Sequence, residues 1–340
     1  MLAKLESEIP RGDGWSYEPK WDGFRTVVTA GDGDATFVSR DDRPMMRFFP
    51  EIVELLSSRA AGSFTTDGEL VLVRPAGLSF DELQLRLHPA ESRVRKLARE
   101  IPATLILFDL IEEEGEDLRE RPLVERRRRL TEVARRLDAQ QTPERLAELP
   151  SGPDLRLTPW TEDLATAERW YADVDGLGQD GIIAKRVDQP YQPGVRGWVK
   201  VKHRKTADCV VGGYRVSKDG VGVGSLLLGL YDDEGRLHYV GHTSSFRAAE
   251  RRALRETLAP LEGGEGFGGD ARSPGGPSRW SAGRDTAWVS LSPVLVCEIS
   301  FERIQSGRFR HSATFVRWRD DRDPRSCTFD QVGAEPPNWG

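Results

Sequence analysis

The segment KWDGFR, Lys20 to Arg25, places a lysine, a carboxylate, a glycine and an arginine within six positions, just before an apolar run of strand character. With each residue type at about one in twenty, four such fixed identities recur by chance roughly once per 10⁵ positions, so an accidental match is the weaker account. A primary amine can attack phosphorus and form a phosphoramidate that stays activated for a second transfer. It must first lose its proton. An ordinary lysine, with a pKa of ≈10.4, is only about 0.1% neutral near pH 7.4, so its surroundings must supply about 4 kcal/mol for half deprotonation. Desolvation, nearby cations or a metal ion can do so. Gly23 would let the backbone approach a nucleotide, and Arg25 offers a planar fork to phosphate or ribose oxygens.

Further chemistry-bearing segments follow along the chain. Ser39-Arg40 stands at a strand end, and TDGEL presents Asp67, Gly68 and Glu69. LILFDL sets Phe108 and Asp109 on an apolar strand, and DGIIAKR carries Asp180 and Lys185. In WVKVK, Lys200 and Lys202 alternate on one strand face, so both ammonium groups can meet one phosphate and depress the pKa of a neighbouring lysine. RWRDDRDP supplies Arg317 and Arg319, then Asp320, Asp321 and Arg322. Each segment also has a plain structural account. Asp67-Gly68 reads as a turn, Phe108 alone as core, and WVKVK as an edge strand with charged gatekeepers. Cys209, Cys297 and Cys327 lack zinc spacing and read as buried small hydrophobes, and the five histidines show no HExxH pattern.

In this order the segments resemble the covalent nucleotidyltransferase superfamily, and within it the ATP-dependent DNA ligases. The resemblance runs from about Leu2 to Val332, and SRVRKLA, YQPG and DPRSC are similar to stand-alone bacterial ligases of the LigC type. It implies that Lys20 is the nucleophile that takes AMP. It implies nucleotide contacts from Glu18, Arg25, Arg40, Glu69, Phe108, Lys185, Lys200, Lys202, Arg317 and Arg319. Among these, Phe108 would stack on adenine, Lys200 and Lys202 would clamp the α-phosphate, and Arg40 would touch ribose or the phosphate of nicked DNA. Arg317 and Arg319 would hold the leaving pyrophosphate. Glu69 and Asp180 would serve the metal, although many ligases carry Glu where this chain has Asp180, and Arg322 stands where Lys is usual. The implied cofactors are ATP and Mg²⁺, with Mn²⁺ as a substitute. Implied partners are nicked duplex DNA and a repair polymerase or end-binding protein. The same lysine chemistry would serve an RNA ligase or a capping guanylyltransferase, and a barrel that only binds nucleic acid is the non-catalytic alternative.

The elements that must position these groups divide the 340 residues in two. The first part mixes strand-like runs, at Thr26 to Thr29, Ala35 to Ser39, Thr65 to Val73, Ala103 to Ile111 and Gly181 to Ala184, with helical patterns between them. This predicts an α+β adenylation domain over 1–203 with mainly antiparallel sheets. Short β-rich runs and one helix, Arg247 to Leu258, predict a small OB-fold β-barrel over 204–340, with a mobile Gly, Ser and Pro-rich loop at about 261–285. A hinge near His203 to Thr206 would bring the second domain to the first. The net charge of −6 argues mildly against nucleic acid, but RVRKLAR (93–99) and RRRR (126–129) are local basic runs, readable equally as solvated helix faces. The longest apolar stretch is far shorter than the roughly 20 residues of a membrane span, and no secretory signal is seen. A cytoplasmic, monomeric protein is expected.

Overall fold

The computed structural model describes residues 1–31, 33–60, 62–75, 77–143, 152–173, 179–203, 205–217, 219–267, 274, 287–305 and 307–336. The chain divides into two compact units, Met1–His203 and Arg204–Gly340. In the first unit the strands are β1 (Ala3–Glu6), β2 (Trp15–Pro19), β3 (Phe24–Gly31) and β4 (Asp34–Ser39). After α1 (Pro50–Arg59) come β5 (Phe64–Val71), α2 (Phe80–Leu85), α3 (Glu91–Glu100) and β6 (Thr104–Glu113). Then follow α4 (Leu123–Arg136), β7 (Asp154–Leu157), α5 (Leu164–Ala172), β8 (Gly181–Arg186) and β9 (Trp198–Lys202).

Two sheets organise this unit. The larger has seven strands and runs from residues 140–141 through β7, β6, β5 and β3 to β4, with residues 116–117 paired to β6 off this path. The smaller has the order β1, β9, β8, β2. Pairing is antiparallel except for β1 on β9, β7 on β6 and residues 140–141 on β7. Strand β6 lies between two neighbours, and residues 104–110 are all buried, which is why LILFDL reads as one apolar run. Pro50 opens α1 where no amide partner is needed, and Ile52 and Leu56 turn into the core. Asp163 caps α5 by accepting from the amides of Ala165 and Thr166. One core fills the space between the large sheet and helices α1, α3 and α4. A second joins the sheets to each other, through Tyr17, Ile182 and Ala184 of the small sheet against Val71 and Ile106 of the large one.

The chain crosses from the small sheet to the large one between β2 and β3, at KWDGFR. A Cβ on Gly23 would lie 2.0 Å from the carbonyl oxygen of Leu70, so only glycine allows this crossing.

The second unit contains β10 (Lys205–Val216), β11 (Val223–Tyr231), β12 (Leu237–Thr243), α6 (Ala248–Leu258), β13 (Val296–Phe301) and β14 (Thr314–Trp318). They form a six-stranded sheet of order β12, β11, β10, β13, β14, with residues 289–290 paired to β10. The strand count and inserted helix are those of an OB-type architecture, but among the described residues the ladder is not closed. Its two ends meet through a single bridge, Thr243 to Ala313, and a hydrogen bond of 3.1 Å from the Phe315 amide to Thr243 Oγ1. Leu254 and Leu258 of α6 join this unit's core, where all three cysteines are buried. Of the expected loop at 261–285, residues 268–273 and 275–285 lie outside the described residues.

Candidate active site

Backbone pairing builds the site before any side chain takes part. The amide of Lys20 donates to the carbonyl of Gly181 (2.8 Å), and the amide of Asp180 donates to the carbonyl of Lys20 (2.9 Å). The loop holding the lysine is thereby locked to the entry of β8. Gly181 has φ +143°, and a Cβ there would lie 1.9 Å from the Val201 carbonyl oxygen. That close approach of β8 to β9 brings Asp180 beside Lys202.

The side chains then converge. Lys20 Nζ lies 2.8 Å from Asp180 Oδ2, and Lys202 Nζ lies 3.3 Å from the same oxygen. Burial alone would raise the pKa of Asp180, but the two ammonium groups outweigh it and hold the carboxyl below its usual value. Glu69, on β5 and directly opposite Arg25 of β3, behaves in the other sense. Burial pushes it up to about 8, although Lys20 and Arg25 pull it down, and Asp67 and Asp22 add to the rise. Lys200 stands two positions before Lys202 on β9 and is partly buried like it.

A second cluster lies next to this one. Lys185 Nζ is 2.7 Å from Glu18 Oε2, with both side chains almost wholly buried, at 1% and 3% exposure. The same ammonium donates to the Phe108 carbonyl (3.2 Å) and sits over the rings of Phe108 (4.8 Å) and Trp198 (4.4 Å). Burial raises the pKa of Glu18, partly opposed by Lys185, and its Oε1 is buried with no hydrogen-bond partner among the described residues. Phe108 and Trp198 meet edge to face at 5.9 Å and form a buried apolar cluster with Tyr191 and Met1.

Arg25 is fixed by its neighbours. Its Nε and Nη2 donate to Asp67 Oδ1 (3.0 Å) and Oδ2 (2.6 Å), and the Tyr191 hydroxyl donates to Oδ2 (2.8 Å). Burial, followed by the Asp67 charge, raises the pKa of that hydroxyl. The Arg25 guanidinium also lies 5.1 Å from the Trp198 ring and 5.8 Å from that of Phe108. Next to Phe108 in the chain, Asp109 is held by Arg126 through hydrogen bonds of 2.8 and 3.0 Å, buried on both sides.

The structure therefore brings together Lys20, Asp180 and Lys202, and beside them Glu18, Lys185, Phe108 and Arg25. Arg40 is exposed in the turn after β4, 3.5 Å from Asp41. In the second unit Arg317 Nε donates to Glu298 Oε2 (2.7 Å). Arg319 lies just past the end of β14 and pairs with both Asp208 oxygens (3.0 Å) and with Asp321. Four site residues escaped the sequence reading as functional groups: Asp67 as the anchor of Arg25, and Tyr191, Trp198 and Arg126. Trp198 carried a usable signal, since it precedes Lys200 and Lys202 at the same two-residue period.

The sequence profile of the ATP-dependent DNA ligase domain matches residues 1–202, and that of the ATP-dependent DNA ligase C-terminal region matches 219–322. This chain belongs to the ATP-dependent DNA ligase family. DNA ligase C2 of Mycolicibacterium smegmatis is 46% identical over 349 residues, covering 99% of this chain and 94% of that protein. DNA ligase C of Mycobacterium tuberculosis is 43% identical, covering 98% and 92%. A solved Lig E DNA ligase shares the fold at 17% identity, with a TM-score of 0.55 over 94% of this ligase and 98% of that chain.

ATP and a divalent metal fit the donor set of this ligase. Among the described residues no group of three or more His, Cys, Asp or Glu could hold a metal alone. Glu69 and Asp180 offer hard carboxylate oxygens, which suits magnesium, an ion that takes one or two carboxylates and completes its shell with phosphate oxygens and water. A carboxylate pushed to about 8 by burial gains most from such a charge.

Proposed function

We propose that this ligase couples Lys20 to AMP and spends that adenylate on sealing nicks in duplex DNA. The supporting observation is the approach of Lys20 Nζ to within 2.8 Å of Asp180, with Lys202 on the same carboxylate. A lone surface lysine has no reason to be embedded so. In this reading the Lys20 amine attacks the α-phosphate of ATP, forming the N–P bond while pyrophosphate leaves. The 5′-phosphate at the nick then takes the AMP, and the adjacent 3′-hydroxyl displaces it to close the phosphodiester. Lys200 and Lys202 hold the α-phosphate oxygens, and Arg317 and Arg319 serve the pyrophosphate in the first transfer only. Glu69 and Asp180 would hold Mg²⁺, which would supply neutralisation of charge on phosphate oxygens. Arg25 is oriented by Asp67 and Tyr191 toward ribose or phosphate oxygens.

The residues around Glu18 and Phe108 also support a choice of base. Phe108 offers a ring face to adenine, and Glu18 Oε1 is a buried acceptor without a donor among the described residues. The 6-amino group of adenine donates there, whereas the 6-oxo group of guanine would set acceptor against acceptor. Labelled ATP or GTP with Mg²⁺, followed by nicked DNA or nicked RNA, separates this reading from an RNA ligase and from a capping enzyme. Intact-mass analysis is expected to show one AMP on wild-type protein and none on Lys20→Ala. Equal strand joining by the two proteins would overturn the proposal. We further propose a cytoplasmic, monomeric enzyme working in DNA repair beside a polymerase or end-binding protein. Among the described residues no helix is long and apolar enough to cross a membrane.

A further inference from the structure

Two basic runs stand out in the sequence, and the structure treats them differently. The run 126–129 on α4 is mostly consumed inside the protein: Arg126 holds Asp109, Arg127 donates to the Thr158 carbonyl, and Arg129 pairs with Glu113 and Glu116. Helix α3 does the opposite. It buries Val94, Leu97 and Ala98 and leaves Arg93, Arg95, Lys96 and Arg99 exposed, against only Glu91 and Glu100. Arg95 and Lys96 share those two carboxylates. Arg93 has no carboxylate within ion-pair distance among the described residues.

The turn after β4 adds to this surface. It is tight, with Asp42 at φ +55° and Ser39 Oγ accepting from the amides of Asp41 (3.3 Å) and Arg43 (3.2 Å). Arg40 and Arg43 therefore flank one turn, and the exposed Arg43 side chain likewise has no carboxylate partner among the described residues. Arg47, also exposed, donates from Nη2 to the Pro89 carbonyl (3.0 Å), which fixes its guanidinium at the start of α3. A ligase of net charge −6 thus keeps Arg43, Arg47 and Arg93 with no ion-paired carboxylate among the described residues, near the turn where Arg40 pairs with Asp41.

Resting on the function proposed above, we propose that Arg43, Arg47 and Arg93 bind backbone phosphates of the duplex on one flank of the nick, continuing outward from Arg40. Polyanionic duplex DNA fits because these cations are solvated, lack carboxylate partners among the described residues, and are spread over a helix and a turn rather than gathered in a pocket. They carry no base specificity and take no part in nucleotide transfer.

The test measures binding of the adenylated protein to a fluorescent nicked duplex over a range of salt concentrations. Removing one cation from a phosphate lowers the slope of log Kd against log salt by about 0.9, equivalent to about fivefold in affinity near 0.15 M salt. The Arg43→Ala/Arg93→Ala variant is expected to show a slope smaller by about two and to bind roughly 10–30-fold more weakly, while self-adenylation is unchanged. A control of equal charge change, Arg121→Ala/Arg128→Ala, is expected to bind like wild type. Shortening the duplex on one flank, and not on the other, should abolish the difference between variant and wild type. Unchanged binding by the double variant, an equal weakening in the control, or a defect indifferent to both flanks would overturn the surface. Absence of self-adenylation in the wild type would instead overturn the ligase chemistry on which it rests.

Discussion

Lys20 and Asp180, 160 residues apart in the chain, form an ion pair of 2.8 Å because backbone hydrogen bonds tie their two loops together. The carboxylate proposed for the metal thus faces the proposed nucleophile.

Asp180→Asn is accordingly expected to slow self-adenylation by about 100-fold or more, the usual scale for removing a group that handles charge in the transition state. Asp180→Glu keeps the charge and is expected to stay within about tenfold of wild type. Single-turnover transfer of labelled AMP measures both. Equal rates for Asp180→Asn and wild type would remove Asp180 from the mechanism.

Glu69 gives stability a pH dependence. Its value in the folded protein, about 8, lies above the ordinary 4.5, so the folded state holds a proton that the unfolded chain releases. The resulting stability is complete below about 4.5 and is lost as pH rises through about 8. Glu69→Gln stays neutral throughout. Without ATP or Mg²⁺, its melting temperature relative to wild type should improve from pH 5 to about pH 8 and then level off, and a difference independent of pH would contradict the assignment.

Lys185 and Glu18 are predicted to fail singly and to recover together. Lys185→Met leaves Glu18 buried without its counter-charge, a change that costs about 3–5 kcal/mol in comparable pairs. The Lys185→Met/Glu18→Gln double variant should regain most of that stability while discriminating ATP from GTP less well. Denaturant titration gives the first quantity, and competitive adenylation with both nucleotides gives the second.

Arg317→Ala is expected to abolish self-adenylation with ATP and yet leave sealing of a pre-adenylated nick close to wild type. Gel assays with the two substrates separate these steps. Equal impairment of both would assign Arg317 a structural role through its hydrogen bond of 2.7 Å to Glu298.

The groups proposed to react are legible as candidates because the proposed chemistry needs particular residue types at short spacing: Lys20 with Arg25, Asp180 with Lys185, and Lys200 with Lys202. Partners brought in by the sheets were not readable in the same way. Nothing near TDGEL announces that Asp67 will anchor Arg25 and accept from Tyr191, since β3 and residue 191 reach it only after folding. RRRR looked like a solvated or DNA-facing run, and Arg126 instead points inward to Asp109. Lys185, read as a nucleotide contact, is satisfied by Glu18, the Phe108 carbonyl and two rings. β1 and β7 are four residues each and pair in parallel with distant strands, so neither hairpin spacing nor a long apolar run marked them.

The pairing of β1 with β9, Ala3 opposite Trp198, constrains the protein during its own synthesis. At about 5–20 residues per second, the ribosome needs roughly 10–40 s to deliver the last strand that the first one requires. Over that interval β1 waits with an unfilled edge, so a nascent chain halted before Trp198 should remain sensitive to protease at its start. One extended far enough past Lys202 for β9 to leave the ribosome should become resistant there.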